Sequence, residues 1–174
     1  MVWIISLIAI TATLVALVVT IGSMLPRVHH VSRRAHFNFS PVEIWEIITD
    51  YAGQASWRTD VRRVERLPDR NGHPVWRETD RRGQALEIES VESVAPLWLV
   101  RCIVNENLAF GGSWTYELGE YGEVTSVTVT EDGEVYKPVF RFINRFIIGQ
   151  TATIDAYLRA LAKRLGVDVT ITSV

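Results

Sequence analysis

The chain begins with one unbroken apolar run and then changes period several times. Val2 to Leu25 reads VWIISLIAITATLVALVVTIGSML, and no charged side chain precedes Arg27. A membrane-spanning helix needs about 20 apolar residues, and at about 1.5 Å per residue this run reaches about 36 Å. Its polar groups are Ser and Thr hydroxyls, which bond back to helix carbonyls, and Trp3 stands at one end, where an interfacial aromatic is favoured. The competing reading is a cleaved signal peptide, which needs a basic leading segment, a core of about 7–15 residues and a small-x-small cleavage site. No basic residue precedes the run, the run is longer, and Thr20-Ile21-Gly22 is a poor cleavage site. A retained single-pass anchor over residues 1–26 is the expectation, placing the chain at the cell membrane. Arg27, Arg33 and Arg34 follow it, so the positive-inside rule puts the remainder in the cytoplasm. Ala12 and Ala16 have the spacing of a helix-pairing seam, but that spacing is common and leaves oligomerisation unsupported.

Pro26 ends the run, and residues 27–31 read as a polar linker. From Ser32 the pattern alternates, with Ala35, Phe37 and Phe39 against His36 and Asn38, which predicts a strand. Ser40-Pro41 with Glu43 starts a helix as N-cap, first helical residue and capping-box partner, with Val42, Trp45, Ile48 and Ile44 as its buried stripe. Gln54 to Trp57 suits a further short turn. Strands are predicted at Val61–Leu67, Pro74–Thr79, Gln84–Val94, Trp98–Asn105, Ser113–Leu118 and Val124–Thr130, separated by Gly-, Pro- and Asp-rich turns of hairpin length. From Pro138 the period becomes helical through Phe142, Phe146, Ile154, Leu158, Leu161 and Leu165, with Gly166 as the C-cap and residues 167–174 as a tail. Hairpin-length turns imply an antiparallel sheet. The last helix must bury its stripe, and the sheet is the large apolar surface available. The expected class is α+β: a curved antiparallel sheet wrapped on one long C-terminal helix, with one N-terminal transmembrane helix.

That order, with several local motifs, resembles the START-like (SRPBCC, helix-grip) superfamily and, within it, the polyketide cyclase/dehydrase and lipid-transport families. The residues carrying the resemblance are Ser40-Pro41 with Trp45, Asp50-Tyr51 with Trp57, and Trp76-Arg77-Glu78. Gly112 to Tyr116, Thr130-Glu131 with Gly133, and Pro138 to Gly149 continue it, over roughly residues 32–166. The resemblance implies an apolar cavity between sheet and C-terminal helix. On that basis Trp57, Trp76, Trp114, Tyr116, Phe142, Phe146 and Ile147 are the expected ligand-contacting residues. The bland alternative for Phe142 and Phe146 is plain core, and a third is membrane contact.

Composition narrows the chemistry. A net charge of −2 and a pI near 6.1 give no general affinity for nucleic acid. One cysteine, Cys102, cannot form an internal disulfide; in an alternating strand it reads as a small hydrophobe. No phosphate loop or nucleophile elbow is present. His29, His30, His36 and His73 lack metal-ligand spacing, so neither metal nor cofactor is expected. Candidates for proton chemistry are Glu78, Tyr116, Glu131 and Arg77. Against each stands a structural role: Glu78 paired across the sheet with an arginine such as Arg101, Glu131 as a turn carboxylate, Tyr116 packing on the long helix. Eight arginines and five acids interleave between Arg58 and Arg82, as on a solvated mixed face, with anionic headgroups as the alternative partner. The sequence favours a non-catalytic, membrane-anchored domain binding a hydrophobic small molecule or lipid. The alternatives are a cyclase/dehydrase-like enzyme on a hydrophobic or aromatic substrate and a structural domain with a filled core. A binding module should tolerate Glu78→Gln, whereas an enzyme using that carboxylate should lose rate.

Overall fold

The computed structural model describes residues 2–122 and 124–174. Helix α1 (Val2–Met24) leads within four residues into β1 (Val28–Phe37). Residues 28–31, expected as linker, are therefore strand: Val28 to Val31 pair with Glu134 to Glu131 of a later strand, β7 (Val124–Val135), which satisfies their backbone groups. Helix α2 (Pro41–Thr49) starts on the predicted capping box, Ser40 accepting from the Glu43 amide and Glu43 accepting from the Ser40 amide at 2.9 Å. Its buried stripe is Pro41, Ile44 and Ile48, not Val42. Val42 lies two residues before Ile44, roughly 200° round the helix, and so faces out. A 3₁₀ turn follows at Ala52–Ser56.

Six strands then run β2 (Val61–Arg70), β3 (His73–Asp80), β4 (Ala85–Val94), β5 (Trp98–Ile103), β6 (Phe110–Tyr121) and β7 (Val124–Val135). With β1 and the short β8 (Thr172–Ser173) they form one antiparallel sheet in the order β2-β3-β4-β5-β6-β7-β1-β8. From β2 to β7, neighbours in sequence are neighbours in the sheet, as short turns require, whereas β1 pairs with β7 and β8.

The predicted long helix is broken. α3 (Pro138–Ile143) runs into a π-helical turn (Asn144–Ile148), and α4 (Ala152–Leu165) begins after Gly149. Gly149 has φ 89° and ψ 137°, a conformation open to glycine and costly for residues with a Cβ. The break separates Phe142 and Phe146 from the stripe that helical periodicity assigns to them with Ile154, Leu158 and Leu161. Those three sit at i, i+4 and i+7 on α4 and are buried against Phe37, Ile44, Ile48, Leu99, Val127 and Val129. Gly166 closes α4 in the left-handed conformation, and residues 167–171 return the chain to β8 at the edge of the sheet.

Candidate functional site

A small cavity of about 100 Å³ lies between α4 and the middle of the sheet. Its walls include Leu86, Ile88, Val129 and Ile154 on the apolar side, and Arg58, Glu78, Arg101, Tyr116 and Tyr157 on the polar side. It adjoins an open groove of about 530 Å³, with Arg58, Asp60, Glu78, Leu86 and Thr153 common to both.

Strand alternation places the polar residues. On β3, Glu78 shares a face with Trp76, opposite Leu86 and Ile88 of β4, while Arg77 on the other face pairs across to Glu87 at 2.7 Å. On β5, Leu99 and Arg101 are the fully buried positions. Arg101 Nη2 donates to Glu78 Oε1 at 2.9 Å, the partnership expected across the sheet. Arg58, just after the 3₁₀ turn, donates through Nη1 to Glu78 Oε2 at 2.8 Å and to Gln54 Oε1 at 2.8 Å. Its Nη2 reaches Asp60 at 2.5 Å. The guanidinium of Arg101 lies 4.5 Å from the centre of the Tyr51 ring, and that of Arg58 lies 5.6 Å from the Tyr157 ring. The rings of Tyr116 and Tyr157 meet edge to face at 5.3 Å.

Opposed effects set the charge states. Burial works to raise the Glu78 carboxyl, but Arg101 and then Arg58 outweigh it, so it sits below the ordinary carboxylate range. Burial also works against the charge on Arg58 and Arg101, and Glu78 holds both protonated. Burial pushes both phenols up, Tyr157 most strongly, so they remain protonated donors. Glu78 is thus an ionised carboxylate with both oxygens taken by arginines. It is a poor proton acceptor. Two residues of the cavity wall carry buried donors without a hydrogen-bond partner, the Tyr157 hydroxyl and Arg101 Nε. Buried polar groups are nearly always paired, so these two donors call for an acceptor, a buried water or a ligand oxygen.

The structure brings Glu78, Tyr116 and Trp114 to this cavity. Trp57 stands behind the wall, edge-on to Tyr157 at 5.6 Å. Trp76 packs on Tyr51 at 5.3 Å and is no part of the lining. Arg77 faces outward, bound to Glu87, and is removed from the chemistry by strand alternation. Glu131 does not line the cavity. It accepts from Trp114 Nε1 at 2.8 Å and meets His29 Nε2 at 3.0 Å, so it orients the tryptophan wall from behind. Gly133 makes this possible, because a Cβ there would sit 2.2 Å from the His29 ring. Phe142, Phe146 and Ile147 lie outside the cavity. Phe142 and Phe146 pack on each other at 5.0 Å, and Ile147 is 70% exposed. The helix break at Gly149 carries them away from the site.

Arg58, Asp60 and Tyr157 also line the cavity and are not among the ligand-contacting residues expected from the sequence. Tyr157 carried a signal: a tyrosine one residue before Leu158, within the apolar stripe of a gripped helix, needs a partner for its hydroxyl. Arg101 at an inward strand position next to Leu99 and Ile103 carried a similar one. Among the described residues, no group of three His, Cys, Asp or Glu is placed to hold a metal ion.

Comparison with known proteins agrees with the fold. A START superfamily protein from Mycobacterium smegmatis superposes with a TM-score of 0.64 at 18% identity, covering 79% of this chain and 97% of its own. The Zhui aromatase/cyclase from Streptomyces sp. R1128 superposes with a TM-score of 0.64 at 16% identity, covering 80% and 94%. A conserved protein from Geobacillus kaustophilus gives 0.62 at 14% identity, covering 82% and 99%. At these identities the likeness shows the helix-grip fold. No curated protein matches the sequence. The model of the family described as polyketide cyclase/dehydrase and lipid transport matches residues 28–166, and the chain belongs to that family.

Proposed function

We propose that the chain is a membrane-anchored module that binds one hydrophobic small molecule, carrying an oxygen acceptor, in the cavity between the sheet and α4, without converting it. The pair of unpartnered donors, Tyr157 OH and Arg101 Nε, carries this reading. Apolar walls at Leu86, Ile88, Val129 and Ile154 face the hydrocarbon; the cavity of about 100 Å³ is smaller than the roughly 300 Å³ of an ordinary ligand pocket, so the ligand extends into the adjoining open groove of about 530 Å³. Catalysis by Glu78 is disfavoured because that carboxylate is ionised and doubly engaged.

A second reading, a cyclase-like enzyme, draws on the aromatase/cyclase neighbour and on the donor cluster itself. Arg101, Tyr116 and Tyr157 would stabilise an enolate oxygen as an oxyanion site does. Titration calorimetry with 2-naphthol, an aromatic carrying one oxygen, tests the binding reading. Saturable binding to the wild type, lost in Thr153→Trp at the exposed mouth, is expected; unaltered binding in that variant removes the cavity as the site.

The anchor belongs to the same proposal. α1 leaves Trp3, Ile4, Leu7, Ile8 and Leu14 exposed on an apolar helix long enough to cross a bilayer. Its end is built into the domain, since Arg141 Nη1 donates to the Leu25 carbonyl at 2.8 Å. That contact supports a retained helix over a cleaved leader. Arg27, Arg33 and Arg34 support a cytoplasmic domain. Resistance of the membrane-bound chain to carbonate extraction is the expected result, and release into the soluble fraction contradicts it.

A further inference from the structure

The stretch from Pro138 to Ile148 is the part of the domain that the cavity does not explain. It leaves Val139 and Phe140, then Phe146, Ile147 and Ile148, exposed. Apolar clusters of this kind on an otherwise charged domain mark contact with something apolar. Its place identifies the contact. Gly22, near the end of α1, is buried on Pro138: a Cβ there would meet the Pro138 carbonyl oxygen at 2.1 Å, so the two backbones touch. Gly22 is two residues from Met24, the last residue of α1, so Pro138 sits within about 3 Å of that level along the helix axis. If α1 spans a bilayer, its charge-free end marks the bilayer surface and α3 lies there with it.

The polar side of the same stretch fits that depth. A cleft of about 370 Å³ between α1, β1 and the π turn is lined by Arg27, Arg141 and Arg145, together with His29 and His30, which are paired to Glu131 and Asp132. Arg141 spends one nitrogen on the Leu25 carbonyl, and its Nε is buried without a partner. Arginine matches phosphate geometry, and basic residues beside an apolar face are the pattern of an interfacial helix.

We propose that residues 138–148 are a second membrane-contacting element. Phe140, Phe146, Ile147 and Ile148 enter the outer acyl region beside the end of α1, and Arg27, Arg141 and Arg145 meet the lipid phosphates. The element fixes the domain's tilt on the membrane. This rests on α1 being a membrane span.

The test uses the full chain in phosphatidylcholine vesicles, with Cys102→Ser and a single fluorescent label at one new cysteine. The sites are Ile147→Cys, with Ile148→Cys as an independent second position, Ile8→Cys within α1, and Tyr121→Cys. Tyr121 is on the hairpin at the opposite end of β7 from Val135, about 35 Å along the strand. Acyl-brominated lipid should quench the labels at 147, 148 and 8 several-fold more than the label at 121. Aqueous acrylamide should show the reverse order. Lipid quenching at 8, with the labels at 147 and 148 open to acrylamide, overturns the second contact and leaves the anchor standing. Lipid quenching at 8, with those labels shielded from both quenchers, assigns the patch to a protein partner and also overturns it. No lipid quenching at 8 removes the anchor reading and this proposal together.

Discussion

Glu78 sits where water scarcely reaches, between two arginines that came from different elements. Replacing it with glutamine leaves the fully buried Arg101 without its counter-charge, and breaking a buried pair in this way costs about 3–5 kcal/mol. A urea midpoint lowered accordingly is the expected result for Glu78→Gln; a midpoint equal to wild type would mean the pair is not formed. That substitution therefore tests folding and cannot separate a binding module from an enzyme, as the sequence alone suggested it would. The sign of its pH dependence follows from its depressed ionisation. A carboxyl held below its unfolded value contributes stability that is fully present above the ordinary value of 4.5 and is lost as pH falls through the depressed value. Acid unfolding of the wild type should include this loss, and Glu78→Gln should lack it. Tyr157 differs in kind. Its hydroxyl has no partner within the protein, so Tyr157→Phe should leave stability within about 0.5 kcal/mol of wild type. Loss of one hydrogen bond to the ligand should weaken affinity by about 5–10-fold. Unchanged affinity would show that the hydroxyl does not meet the ligand. At this scale the sequence was readable where a residue broke a pattern. Glu78 and Arg101 stand at inward strand positions and their pairing was anticipated. Arg58 follows a short turn with no periodicity, and only the folded chain brings it to Glu78.

At the scale of elements, the strands and α2 were legible because alternation, turn residues and the capping box all agree. The helical region shows where periodicity misleads. Phe142 and Phe146 are one turn apart, as are Ile154 and Leu158, but the phase is not carried through Gly149. The glycine was visible, but its backbone conformation was not. A Cβ at Gly149 would meet nothing within 4 Å, so Gly149→Ala tests the backbone alone. At φ 89° and ψ 137° the expected cost is about 1–3 kcal/mol, read as a lowered thermal midpoint. A neutral result would mean the break survives without glycine's freedom. Leu158 belongs to the gripped face proper, and Leu158→Ala should cost about 2–5 kcal/mol in the same assay.

Over the whole molecule, one direction of the chain organises both surfaces. β7 joins β1 along its length, carrying the α1 junction at its Val135 end, while the cavity lies between the sheet and α4. The break after the π turn lets α3 stay with α1 while α4 packs on the sheet. A ligand-binding cavity between the sheet and α4 is the central claim, and native mass spectrometry of the full chain released from detergent tests it most directly. The wild type should carry one reproducible small-molecule adduct, recovered with unchanged mass after incubation, and Thr153→Trp, which plugs the mouth, should carry none. An adduct that persists in the plugged variant, or a folded wild type that never carries one, would contradict a ligand-binding cavity between the sheet and α4.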